Sequence, residues 1–160
     1  MQKDSRGFSW VELILIILII VLCLAILLPS LTKSRGELNE MEAVRDLQRI
    51  MSAETNYSGS YNMGFTSTLA QLGPPSSGKP DAAAAGFVDS DLGMGNKEGY
   101  TYVYRPGARD ADGKVSNFTV TASPSEPGSS GQKYYFMDQT GVIHMNPSST
   151  AGASDSAIGG

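Results

Sequence analysis

Gly7-Phe8-Ser9-Trp10-Val11-Glu12 leads directly into Leu13-Ile14-Leu15-Ile16-Ile17-Leu18-Ile19-Ile20-Val21-Leu22-Cys23-Leu24-Ala25-Ile26-Leu27-Leu28, and the run stops at Pro29. Phe8 to Leu28 is 21 residues. A helix of that length reaches about 31 Å, close to the ~30 Å hydrocarbon core of a bilayer. The segment is therefore expected to span a membrane. Glu12 is the anomaly in it. A carboxylate near the centre of a membrane helix costs roughly 2.5–3.5 kcal/mol, and less near an interface. A plain anchor gives this acid nothing to do, so it calls for a partner charge.

Outward from this run the chain becomes polar and rich in Gly, Ser and Pro, which suits one small exported domain with long loops. The net charge of −4 and the lack of a basic cluster of helix length speak against nucleic acid as a direct ligand. Cys23 is the sole cysteine and lies in the apolar run, so no intramolecular disulfide can form. Lys3 and Arg6 look like the basic start of a secretory signal. The apolar stretch is too long for one, however, and Leu27-Leu28-Pro29-Ser30 is a poor cleavage site. A single-pass anchor fits the length but leaves Glu12 unexplained.

The basic leader ending in Gly7, then Phe8, then Glu12 four residues on, resembles the class III leader of type IV pilins and of the pseudopilins of type II secretion. The resemblance covers residues 1–30 strongly and 31–57 loosely. Trp10 departs from it, standing where the family usually has a smaller or aliphatic residue. The resemblance implies cleavage after Gly7 by a prepilin peptidase and N-methylation of the new Phe8 amine. It also implies a single-pass stay in the inner membrane with the outer domain in the periplasm. An assembly platform, with related minor pilins, would then extract the subunit into a helical homopolymer, an extracellular pilus or a periplasmic pseudopilus. Pro29 falls where the family often bends its helix. Glu12 of one subunit is expected to meet the Phe8 amine of its neighbour. Burying either charge alone is expensive, so their pairing would enforce register.

Beyond Pro29, Leu31, Leu38, Met41, Val44, Leu47, Ile50 and Met51 recur at three- and four-residue spacing, with wider gaps early. This predicts one long helix from Phe8 to about Tyr57, apolar in its first half and amphipathic in its second. Glu37, Asn39, Glu40, Glu42, Arg45, Asp46 and Arg49 are expected on its solvated side. Pro29 and Gly36 are weak points. Residues 58–99 read as a loop region with helical turns at Thr68–Leu72 and Asp81–Val88. Tyr100–Tyr104, Asn117–Thr121, Lys133–Met137 and Val142–Met145 read as about four antiparallel strands, with turns at Asp110–Gly113 and Asp138–Gly141. Residues 146–160 read as a mobile tail. The expected divisions are thus a leader (1–7), an assembly helix (8–29), an amphipathic helix (30–57), a loop region (58–99), a sheet (100–145) and a tail (146–160). The class is α+β, and packing of the long helix on the sheet, pilin-like, is what the resemblance implies.

No catalytic constellation stands out, and an enzyme is not expected. His144 is the lone histidine and lies in a predicted strand. Asp110-Ala111-Asp112-Gly113 has the start of a calcium loop without the later glutamate of an EF-hand, and a hairpin turn explains it more simply. Major pseudopilins can use calcium in their C-terminal loops, which keeps Asp110 and Asp112 as weak calcium candidates; otherwise no cofactor is expected. Two function classes remain: a filament subunit, of a pilus or of a secretion pseudopilus, and a monomeric membrane-anchored binding protein. Glu12 discriminates between them, because only a polymer supplies its partner.

Overall fold

A computed structural model describes residues 10–158, with side chains except those of 25–33. One helix, α1, runs from Trp10 to Tyr61 without interruption, 52 residues in all. It passes through both expected weak points and ends one turn beyond the expected Tyr57. The stop is set by Asn62, whose left-handed φ of 52° lets its N–H close on the Ser58 carbonyl at 3.0 Å. Asn tolerates that conformation better than most residues.

A Leu69–Leu72 3-10 turn follows, close to the expected helical turn, and buries Leu69 and Leu72. The second expected turn is different. Asp81 and Ala84 exchange backbone hydrogen bonds in a tight turn, and the helix, α2, comes later at Ser90–Gly93. Asp89 caps it by accepting from the Leu92 N–H at 3.0 Å. Asp81 spends its carboxylate on the N–H groups of Ala83 and Ala84 instead of starting a helix.

The sheet has six antiparallel strands rather than four: β1 (Asn96–Lys97), β2 (Tyr100–Pro106), β3 (Phe118–Pro124), β4 (Tyr134–Asp138), β5 (Ile143–Asn146) and β6 (Ser156–Ala157). They pair in chain order as a meander. Both extra strands are two-residue edge strands, too short for a periodicity signal. Both expected turns are present, between β2 and β3 and between β4 and β5, with Gly113 and Gly141 at φ 77°. The expected mobile tail is instead tied down. Ala151 is buried, β6 pairs with β5, and the Ile158 N–H reaches the Ile143 carbonyl at 2.7 Å.

The inner sheet face carries Tyr100, Tyr102, Phe118, Val120, Ala122, Tyr135, Met137 and Ile143 against Ala43, Leu47, Ile50, Ala53 and Tyr57 of α1. The expected stripe is therefore shifted. Leu47 and Ile50 are fully buried, Val44 and Met51 pack partly, and Leu38 and Met41 are exposed. The chain is α+β, with a long helix laid on an antiparallel sheet.

Candidate functional site

The first described turns of α1 hold every side chain from Trp10 to Leu24 in the open. Glu12 lies in the first turn, exposed, and has no partner among the described residues. The four leading N–H groups of a helix have no intrahelical acceptor, and a carboxylate there is electrostatically favoured. Among the described residues no helix is long and apolar enough to cross a membrane. Of the apolar run, the described side chains are those of 10–24. Gly7 and Phe8 lie outside the described residues, and so does the side chain of Pro29, whose backbone is helical.

Three acids, Asp46, Glu40 and Glu54, clamp the second half of α1 to the domain, and the first two correct the expected solvated face. Asp46 is fully buried. Its carboxylate accepts from the Tyr102 hydroxyl at 3.1 Å and lies 2.6 Å from Arg49 and 3.4 Å from the Lys97 ammonium. Lys97 also reaches Asp89 at 2.6 Å, so helix, α2 and β1 meet through one cation. Burial alone would lower the Lys97 pKa, but Asp89 and Asp46 more than offset that and raise it.

Glu40 accepts from the Gln132 N–H at 2.9 Å and pairs with Lys133 at 2.8 Å. Burial pushes its pKa up; the Lys133 ammonium and the Gln132 N–H outweigh burial and hold it below the ordinary value. Glu54 is fully buried and faces no cation in its hydrogen-bond set. It accepts from the Thr66 N–H at 2.9 Å and from the Thr66 hydroxyl. Burial dominates, and the Glu54 pKa is raised. The Tyr104 hydroxyl donates to the Thr66 carbonyl at 3.0 Å and closes the same corner.

These acids fall in phase with Ala43, Leu47, Ile50 and Tyr57 at three- and four-residue intervals. That phase was the available signal. It was hidden by the ordinary assignment of charged residues to water.

The weak calcium candidates are used locally. Asp110 Oδ1 accepts from the N–H groups of Asp112, at 3.0 Å, and Lys114, at 2.8 Å, while Asp112 is exposed. Among the described residues no three His, Cys, Asp or Glu side chains converge on a common metal position. His144 Nδ1 lies 2.7 Å from the Asp155 carbonyl, which requires the Nδ1–H tautomer or the imidazolium. Asp155 in turn accepts from Asn146 at 3.0 Å and from the Gly152 N–H at 2.8 Å. His144 thus fastens the C-terminal segment to β5. No family model, curated protein or solved structure matches the chain.

Proposed function

We propose that the chain is a structural subunit of a type IV pilus-like filament, made as a precursor, cut after Gly7, methylated on Phe8 and polymerised through its N-terminal apolar helix. The observation that carries this reading is the division of α1. One unbroken helix presents apolar side chains and a lone carboxylate, Glu12, to the outside along Trp10–Leu24. Its later turns are fastened to a folded domain by Leu47, Ile50, Asp46 and Glu54. An apolar surface of this size on a single chain needs covering. A bilayer covers it before assembly, and the same segments of neighbouring subunits cover it afterwards. Glu12 needs a cation in either apolar setting, and the cleaved Phe8 amine of a neighbour supplies one.

The reading is tested at its chemistry. The mature protein is expected to begin at methylated Phe8 by mass spectrometry, and an intact Met1 terminus would refute it. Glu12→Ala is expected to insert and to be cleaved normally, yet to yield few filaments. Leaving the Phe8 amine unpaired would weaken each addition by about two to three orders of magnitude. Wild-type filament yield from that variant would remove Glu12 from its role. A secretion pseudopilus remains a second setting for the same polymer.

A further inference from the structure

Glu54 stands apart from the other two acids that α1 turns inward. Asp46 meets Arg49 and Lys97, and Glu40 meets Lys133. Among the described residues no cation pairs with Glu54, although its side chain is fully buried. Both of its carboxyl oxygens are spent on one residue. Oε2 accepts from the Thr66 N–H, and Oε1 lies against the Thr66 hydroxyl. A neutral carboxyl keeps both contacts, because its O–H can donate to the hydroxyl oxygen while the other oxygen keeps the amide. An ionised carboxyl keeps them as well, but it leaves an uncompensated charge in the core.

The cover over Glu54 is the irregular 62–68 segment, which leans on the 107–117 connection between β2 and β3. The Phe65 N–H donates to the Val115 carbonyl at 2.7 Å. Two cations hold the same corner through neutral acceptors. Arg109 donates to the Ser67 hydroxyl oxygen and to the Gly113 carbonyl, each at 2.6 Å, and Lys114 donates to Asn62 Oδ1 at 3.2 Å. Arg109 is therefore bonded to the residue next to the partner of Glu54. The other groups at this corner do not titrate with a carboxyl. Tyr57 of α1 and Tyr104 of β2 are raised by burial first and by the Glu54 charge second, so both phenols stay neutral. Asp81, on the neighbouring turn, spends its carboxylate on the Ala83 and Ala84 N–H groups. Asp81 and Arg109 both act on Tyr57, with opposite signs.

We propose that Glu54 gates this corner: the 62–68 segment lies closed over the neutral acid and swings away when the acid ionises, admitting water and the Arg109 guanidinium to the carboxylate. The gate stands independently of the filament reading. It gives the end of the domain remote from the apolar run a surface that changes with pH, since Phe65, Thr66 and Val115 are uncovered when it opens. The direction follows from the balance at Glu54. Burial outweighs the bonds from Thr66 and raises the pKa. The closed form is therefore complete below the ordinary carboxyl range and is lost as pH rises through the folded pKa.

The test is hydrogen–deuterium exchange of the full-length chain in detergent, read by mass spectrometry and corrected for the intrinsic pH dependence of exchange. From about pH 5 upward, wild-type peptides covering 62–68 and 107–117 are expected to lose protection by up to about tenfold per pH unit until the folded pKa is passed. Peptides from β4 and β5 are expected to hold theirs. Glu54→Gln keeps an oxygen for the Thr66 N–H and cannot ionise, so its profile is expected to be flat in both segments. Should that variant not fold, Thr66→Val decides. It removes the hydroxyl that favours the charged form, and the pH at which the loss levels off is expected to move upward. A flat wild-type profile, or one that these substitutions leave unchanged, would overturn the gate. Loss of protection in β4 and β5 together with the corner would overturn it in favour of global unfolding.

Discussion

Glu54 shows how one buried acid sets a pH dependence. Burial raises its pKa above the ordinary 4.5, against the hydrogen bonds from Thr66 that favour the charged form. A group with a raised folded pKa contributes stability that is complete below its unfolded pKa and is lost as pH rises through the folded one. Glu40 runs the other way. Its pKa is lowered, so its contribution is present above the unfolded value and lost as pH falls through the folded one. Replacing Glu54 with Gln keeps an oxygen for the Thr66 N–H and removes the titration. The thermal midpoint of Glu54→Gln is therefore expected to rise relative to wild type on going from pH 4 to pH 8. A constant difference across that range, by differential scanning calorimetry, would show that Glu54 does not titrate there.

Elements are held by a few positions where packing or backbone geometry leaves no freedom. Leu47 is fully buried at the centre of the α1 contact with the sheet. Leu47→Ala is expected to cost about 2–5 kcal/mol by urea denaturation, since the rigid sheet face cannot collapse onto the gap. Gly64 ends the chain reversal after α1 with φ 77°, and an added Cβ would lie 2.3 Å from the Val115 oxygen. Gly64→Ala is expected to cost about 1–3 kcal/mol, because the strained φ and the backbone clash cannot both be relieved. An unchanged midpoint for Gly64→Ala would mean that the 62–66 segment moves freely of the connection between β2 and β3, contrary to the 2.7 Å bond from the Phe65 N–H to the Val115 carbonyl. The Phe65 and Phe118 rings, 4.9 Å apart edge to face, add a second tie at this corner.

For the whole molecule, the buried cluster begins at Ala43 and includes no described residue of the apolar run. The outer domain therefore has its own core, with α1 contributing a face from about Glu40 to Tyr57. A fragment beginning at Ser34 is expected to be soluble and cooperatively folded, with strand and helix signals by circular dichroism and a single thermal transition. A disordered fragment would show that the first half of α1 contributes to domain stability as well as to assembly.

The sequence by itself determined the succession of long helix, loop region and antiparallel strands, two hairpin turns and the placing of Glu12 at the mouth of an apolar run. Each of these is written in local terms: periodicity, Gly and Asp at turns, and an uninterrupted apolar composition. Tertiary structure alone decided which face of α1 turns inward. Leu38 and Met41 share the apolar rhythm but fall on a face of α1 turned away from the buried core and stay exposed, while Asp46 and Glu54 are buried because Tyr102, Lys97 and Thr66 supply distant partners. It also decided that residues 146–158 close the sheet. That segment has little apolar content and is held by Asp155, His144 and the Ile143 carbonyl, contacts between residues too far apart in sequence for any local pattern to record.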